Sequence, residues 1–186
     1  MAFANCRGWV KPDSRFLPNG ASGSAGEPTT IELSVKGLMS YLRTCKTCGR
    51  QNRVPAERLA DTGRCGACKS TLTPVAEPLE ADPDLLNDII QKATVPVLVD
   101  FWAAWCGPCR VAAPEVARTA REMTGRAIVI KVDTERYPAL AARFNVHGIP
   151  NFIVFYRGQP VIQQAGVVNH ERMENWLMSA MQTSVP

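Results

Sequence analysis

Six of the seven cysteines in this 186-residue chain stand in Cys-x-x-Cys pairs, and the spacing of those pairs constrains the fold more than any other feature. Cys45/Cys48 and Cys65/Cys68 are separated by sixteen residues, and Cys106/Cys109 follows thirty-seven residues later. Cysteines paired this closely mean a disulfide framework in an exported protein, or metal and redox chemistry inside a cell. Met1–Val10 is broken by Asn5, Arg7 and Gly8 and does not read as an export signal, so the second case and a cytoplasmic location are expected. The longest apolar runs, around Val95–Val99 and Ile128–Ile130, are of strand size, so no membrane partner is expected.

The first two pairs have the Cys-x2-Cys-x16-Cys-x2-Cys spacing of four-cysteine zinc sites, which makes Cys45, Cys48, Cys65 and Cys68 the candidate ligands of one Zn2+. Gly49 and Gly66 are expected to ease the tight turn of each knuckle. Four thiolates close a tetrahedron and leave no position open for catalysis. Residues 41–73 are too few to bury a useful core, so this zinc ribbon would need its metal to fold. The spacing also admits two disulfides or two further redox pairs. Arg43, Lys46, Arg50, Arg53, Arg58, Arg64 and Lys69 face only Glu57 and Asp61 here. Such a basic excess offsets thiolate charge, and because no aromatic platform is interleaved with it, nucleic acid is not an expected partner. The net charge of +4 for the whole chain is too small to demand one.

The third pair stands where a strand gives way to a helix. Val95–Ala103 is an apolar, β-branched run read as a buried strand, and a helix is predicted from Gly107 to about Met123, kinked at Pro114. Free N–H groups and the positive dipole end of a helix favour an anion, so Cys106 becomes thiolate more readily, and the thiolate is the nucleophile of disulfide exchange. Pro108 suits the first turn. A static disulfide or a metal half-site are the other readings of such a pair. A half-site needs a second pair nearby, and the other two pairs match each other.

Residues 75–182 read as one α/β domain behind a linker at Pro74–Pro78. Asp82 caps a helix to about Ala93. Ala127–Asp133 is a strand and Pro138–Phe144 a short helix. Asn151–Tyr156 and Pro160–Ala165 form a hairpin turning at Arg157-Gly158-Gln159. Asn169 caps a last helix through about Ser179, with Met173, Trp176, Leu177 and Ala180 on its apolar face. Residues 1–38 are rich in Gly, Ser and Pro and read as disordered, with Met39 a candidate alternative start. Cys6, His147 and His170 are isolated.

Asp100-Phe101-Trp102-Ala103-Ala104-Trp105-Cys106-Gly107-Pro108-Cys109-Arg110 resembles the active-site signature of thioredoxins, and Pro114, Lys131, Asp133, Gly148-Ile149-Pro150, Gly158 and Gly166 match in order. The resemblance implies a thioredoxin fold, a central mixed sheet flanked by helices. It implies that Cys106 attacks a client disulfide and that Cys109 resolves the mixed disulfide. Asp100, next to Lys131, would lie buried beneath the pair and move the proton of Cys109. The apolar flanks Val99 and Phe101 also point to a buried carboxyl with a raised pKa. The resemblance further implies a cis bond before Pro150, the Ile149 backbone offered to an extended client, and a docking surface with Trp105, Gly107, Pro108 and Gly166. Without it, Gly-Ile-Pro is an ordinary turn. Asn151 stands where many relatives have Thr.

The segment Cys45–Pro55, placed ahead of Trp-Cys-Gly-Pro-Cys, resembles the zinc-containing bacterial branch of the family, the thioredoxin 2 group. That branch implies a protein-disulfide reductase without a bound organic cofactor. Electrons would come from NADPH through thioredoxin reductase and pass to disulfide-containing client proteins, and the zinc ribbon would be structural or redox-regulatory. The competing classes are a zinc-dependent binding module or chaperone, and a nucleic-acid-binding ribbon under redox control.

Overall fold

The computed structural model describes residues 40–182; the expectations for residues 1–38, Met39 and Cys6 lie outside them. Two small antiparallel hairpins come first. β1 (Ser40–Thr44) pairs with β2 (Gln51–Pro55), and β3 (Gly63–Arg64) with β4 (Thr71–Leu72). A short 3-10 turn, Ala56–Arg58, lies between the hairpins.

A five-stranded mixed sheet follows. Its strands are β5 (Leu79–Glu80), β6 (Val97–Trp102), β7 (Ile128–Asp133), β8 (Asn151–Tyr156) and β9 (Gln159–Ala165), in the spatial order β5-β7-β6-β8-β9. β5, β6 and β7 run parallel; β8 and β9 are antiparallel additions. β6 and β8 are buried along almost their whole length, which is why, Asp100 and Asn151 apart, they read as apolar runs rather than alternating ones. On one face Val97, Val99, Phe101, Ile128, Ile130, Ile153 and Phe155 meet Leu86, Ile89 and Ile90 of α1 (Pro83–Lys92) and Leu140 of α3 (Pro138–Arg143). On the other, Leu98, Val129, Phe152 and Val154 meet Ala112, Val116 and Ala120 of α2 (Gly107–Glu122) and Met173, Leu177 and Ala180 of α4 (His170–Gln182). The period of two along each strand deals alternate residues to these two layers.

The helix starts carry their own signals. The Asp82 carboxylate accepts the Leu85 N–H at 2.8 Å, with Pro83 in the first turn, and the Asn169 side-chain oxygen accepts the Arg172 N–H at 3.1 Å. α2 continues through Pro114 as one helix with one backbone donor missing.

The ribbon hardly has a core of its own: Cys45, Cys65 and Leu72 are its separate buried cluster. Val54, Ala56, Leu59 and Ala60 instead join the cluster containing Leu79, Ala81, Leu86 and Ile89. Leu59, 1% exposed, is as deeply buried as the strand residues. The knuckle expectation needs one correction. Gly49 takes the left-handed conformation (φ 72°) after the second cysteine of its pair, but in the other knuckle that position is Lys69 (φ 63°), not Gly66. The chain must turn at the residue that follows the second cysteine, and Gly66 precedes it. Gly66 serves otherwise: its N–H donates to Asn52 Oδ1 at 2.8 Å.

Candidate functional site

Cys106 is the N-cap of α2, and the helix geometry makes the rest of the site. One turn brings Cys109 back over Cys106, so the two are joined as a disulfide, and the Cys109 N–H points at Cys106 Sγ from 3.1 Å. That N–H and the helix dipole stabilise negative charge at Cys106 whenever the bond opens. Ala103, Cys106 and Cys109 form a small apolar cluster, with Trp102 and Ile149 packed against it. Neither cysteine is open in the disulfide form (2% and 5% exposed), whereas Trp105 is 66% exposed and Val111, on the first turns of α2, also faces solvent.

The Ile149–Pro150 peptide bond is cis, and Ile149 O lies 3.7 Å from Cys106 Sγ. Pro150 O accepts the N–H of Gly166 at 2.9 Å. Gly166 has φ 94°, a backbone shape that side-chain-bearing residues rarely take. The sequence-distant segments 149–150 and 165–166 are thereby held together beside the sulfurs. Asn151 is buried and its side-chain oxygen accepts from Gln163 Nε2 at 3.3 Å.

Asp100 sits in β6 with the parity of Leu98, so it faces the α2 layer. It is 3% exposed, and its Oδ1 is buried without a hydrogen-bond partner. Burial pushes the carboxyl up to about 7, against the pull of Lys131 and with a small push from Glu80. Lys131 is the register partner of Asp100 on β7, and its ammonium is engaged by two other groups. It lies 2.9 Å from Glu80 Oε1 and 3.8 Å from the centre of the Trp102 ring. Glu80 is the residue that sequence reasoning missed. It belongs to a two-residue strand, and its only signal was the apolar-polar-apolar alternation Leu79-Glu80-Ala81.

The four ribbon cysteines converge. Their sulfurs all lie within 4.8 Å of one another and none is in a disulfide. Cys45 Sγ is 3.6 Å from Cys68 Sγ, and Cys48 Sγ 3.7 Å from Cys65 Sγ. Metal–sulfur bonds of about 2.3 Å in a tetrahedron put sulfurs about 3.8 Å apart, so the donor set and its spacing fit zinc. Further polar groups hold the sulfurs: Ser70 Oγ is 3.1 Å from Cys45 Sγ and 3.0 Å from Cys68 Sγ, and Asn52 Nδ2 donates to Cys65 Sγ at 3.6 Å. The Ser70 hydroxyl and the Cys48 N–H pull the Cys45 thiol down to about 6. His147 is exposed. His170 is engaged by Glu115, Nδ1 to Oε2 at 2.7 Å, and stands apart from the cysteines in sequence.

The model of the thioredoxin family matches residues 77–179, and that of the thioredoxin 2 N-terminal zinc ribbon matches residues 44–70. Thioredoxin C-3 of Corynebacterium nephridii is 37% identical over 138 residues, 74% of this chain and 94% of that protein. Thioredoxin 1 of Chlorobaculum tepidum is 43% identical over 96 residues, 52% of this chain and 95% of its own. Among solved structures, a mutant thioredoxin from Halobacterium salinarum NRC-1 superposes with a TM-score of 0.53 at 33% identity, covering 60% of this chain and 96% of that one. Among the described residues no helix is long and apolar enough to cross a membrane. A helix-capping disulfide, a cis-proline beside it and a four-cysteine ribbon ahead of it thus coincide with matches over both parts, and the chain belongs to the thioredoxin family of protein-disulfide reductases.

Proposed function

We propose that Cys106 and Cys109 reduce disulfides of client proteins in the cytoplasm, that Asp100 handles the proton of Cys109, and that the ribbon carries one structural Zn2+. The observation that carries the reading is a disulfide capping α2 with a buried, unpartnered carboxyl on the adjoining strand facing the same layer. Starting from the dithiol, the Cys106 thiolate attacks one client sulfur, forms the mixed disulfide and expels the other client sulfur as thiolate. Cys109 gives its proton to Asp100 and attacks Cys106 Sγ; the Cys106–client bond breaks and the second client sulfur leaves. Two electrons pass to the client, and the Cys106–Cys109 bond remains. A carboxyl with a pKa of about 7 can both take and return a proton near neutral pH. NADPH and thioredoxin reductase would restore the dithiol.

The client would dock on exposed Trp105 with Gly107 and Pro108, and lay extended backbone against Ile149, Pro150 and Gly166. Lys131 would tune Asp100. Zn2+, held by Cys45, Cys48, Cys65 and Cys68, would supply cross-linking rather than catalysis, since four sulfurs fill its coordination. Residues 41–73 and 75–182 would be the two modules. The test is NADPH-driven reduction of a protein disulfide by thioredoxin reductase with this chain and with Cys106→Ser. Turnover by the wild type alone supports the reading; equal turnover by both sinks it.

A further inference from the structure

The ribbon holds more positive charge than its fold uses. Residues 41–73 carry seven Lys and Arg against two acids, while residues 75–182 carry ten against twelve. Five of the arginines, Arg43, Arg50, Arg53, Arg58 and Arg64, line one groove of about 560 Å3 between the two hairpins. Two of them are spent on the fold. Arg43 is buried and donates to Leu59 O at 2.8 Å and Asp61 O at 3.1 Å, and Arg58 pairs with the Asp61 carboxylate at 3.1 Å. Arg50, Arg53 and Arg64 are exposed, and among the described residues their side chains make no hydrogen bond or ion pair.

Three internal uses for these guanidiniums fail. The sulfurs take their side-chain contacts from Ser70, Asn52 and one another rather than from arginine. The ribbon seats on the following domain through Val54, Ala56, Leu59 and Ala60, which are apolar. Asp61, the single carboxylate in the groove, is already engaged. What remains is a concave surface presenting three unpaired planar forks that match carboxylate geometry. No aromatic side chain lines it, so bases have nothing to stack on, and nucleic acid fits it less well than protein.

We propose that this groove is a binding site for a carboxylate-rich segment of a partner protein, separate from the disulfide. The ribbon then gives clients with acidic segments a second point of attachment, which raises their effective concentration at Cys106 without changing the chemistry there. Each exposed charge pair is weak and screened by salt, so the binding is multivalent and ionic-strength-dependent.

Fluorescence anisotropy of a labelled oligoglutamate peptide, titrated with the zinc-loaded full chain, tests the proposal. The expected result is binding at low ionic strength that fades with added salt. R53Q/R64Q should weaken it about tenfold while keeping its zinc and its rate on a short neutral disulfide peptide. Should that variant lose zinc, R50Q replaces it, with an expected loss of about threefold. No peptide binding by the wild type, undiminished binding by the zinc-loaded variant, or tighter binding of an oligothymidylate of matched charge would each overturn the proposal.

Discussion

The ribbon and the sheet both use Cys-x-x-Cys, and the residue after the second cysteine separates their fates. The same backbone bond opens each motif: Gly49 N–H to Cys45 O, Lys69 N–H to Cys65 O, and Arg110 N–H to Cys106 O. In the ribbon the chain then turns left-handed at Gly49 and Lys69 and runs back along a hairpin. After Cys109 it continues as α2. A knuckle leaves its two sulfurs free to meet those of the other pair at 3.6–3.7 Å, whereas the helix closes its pair on itself. One local motif thus yields a cluster of four free sulfurs or a closed disulfide according to what the backbone does next.

The difference can be broken most severely at the reacting sulfur. Cys106→Ser should lower client reduction by roughly a thousandfold or more while zinc stoichiometry is unchanged, measured by coupled turnover and metal analysis. Removal of the metal by a strong chelator should do the reverse. The hairpins should melt and become protease-sensitive, seen by limited proteolysis, while the Cys106–Cys109 bond still forms, because no hydrophobic cluster beyond Cys45, Cys65 and Leu72 belongs to the ribbon alone.

The pH dependence of stability belongs to the sheet. Asp100 has a folded pKa of about 7 against an ordinary 3.8, so the folded disulfide form keeps a proton that the unfolded chain has lost. Stability should therefore fall as pH rises from about 4 to about 7, by roughly 4 kcal/mol in total, and level off above. Asp100→Asn should abolish that slope and leave the variant more stable than wild type at pH 8, by a similar margin, in urea unfolding. A smaller effect tests whether the two regions are energetically joined. Leu59→Ala, in the ribbon but packed with Leu86 and Ile89, should cost about 2–4 kcal/mol in unfolding of the whole described unit. A loss confined to the ribbon would separate them. Smallest, Lys69→Gly should relieve the left-handed strain and stabilise the metal-loaded ribbon by about 1 kcal/mol, read from thermal melting.

Most of the sheet and its helices were legible because burial is written in runs and caps. Apart from Asp100 and Asn151, Val97–Trp102 and Asn151–Tyr156 are apolar runs, and Asp82 and Asn169 announce their helices. The ribbon strands were not, since Gln51–Pro55 mixes polar and apolar residues and is held by the cysteine knuckles rather than by a buried face. Glu80 was missed for a related reason. A strand of two residues shows no period, and its contact with Lys131 depends on register with β7. The left-handed Lys69 escaped because composition points to glycine wherever one is nearby, here Gly66.

Under the proposed function the chemistry is confined to the helix-capping pair while the ribbon sulfurs stay with the metal. Cys109→Ser, which leaves the attacking sulfur but removes the resolving one, should trap a mixed disulfide with a protein client. Peptide mapping of that adduct by mass spectrometry, together with its zinc content, decides the matter. The expected adduct is a client joined to Cys106 alone, with one zinc per chain and Cys45, Cys48, Cys65 and Cys68 unoxidised. A client joined to a ribbon cysteine, or ribbon disulfides formed before any adduct at Cys106, would contradict it.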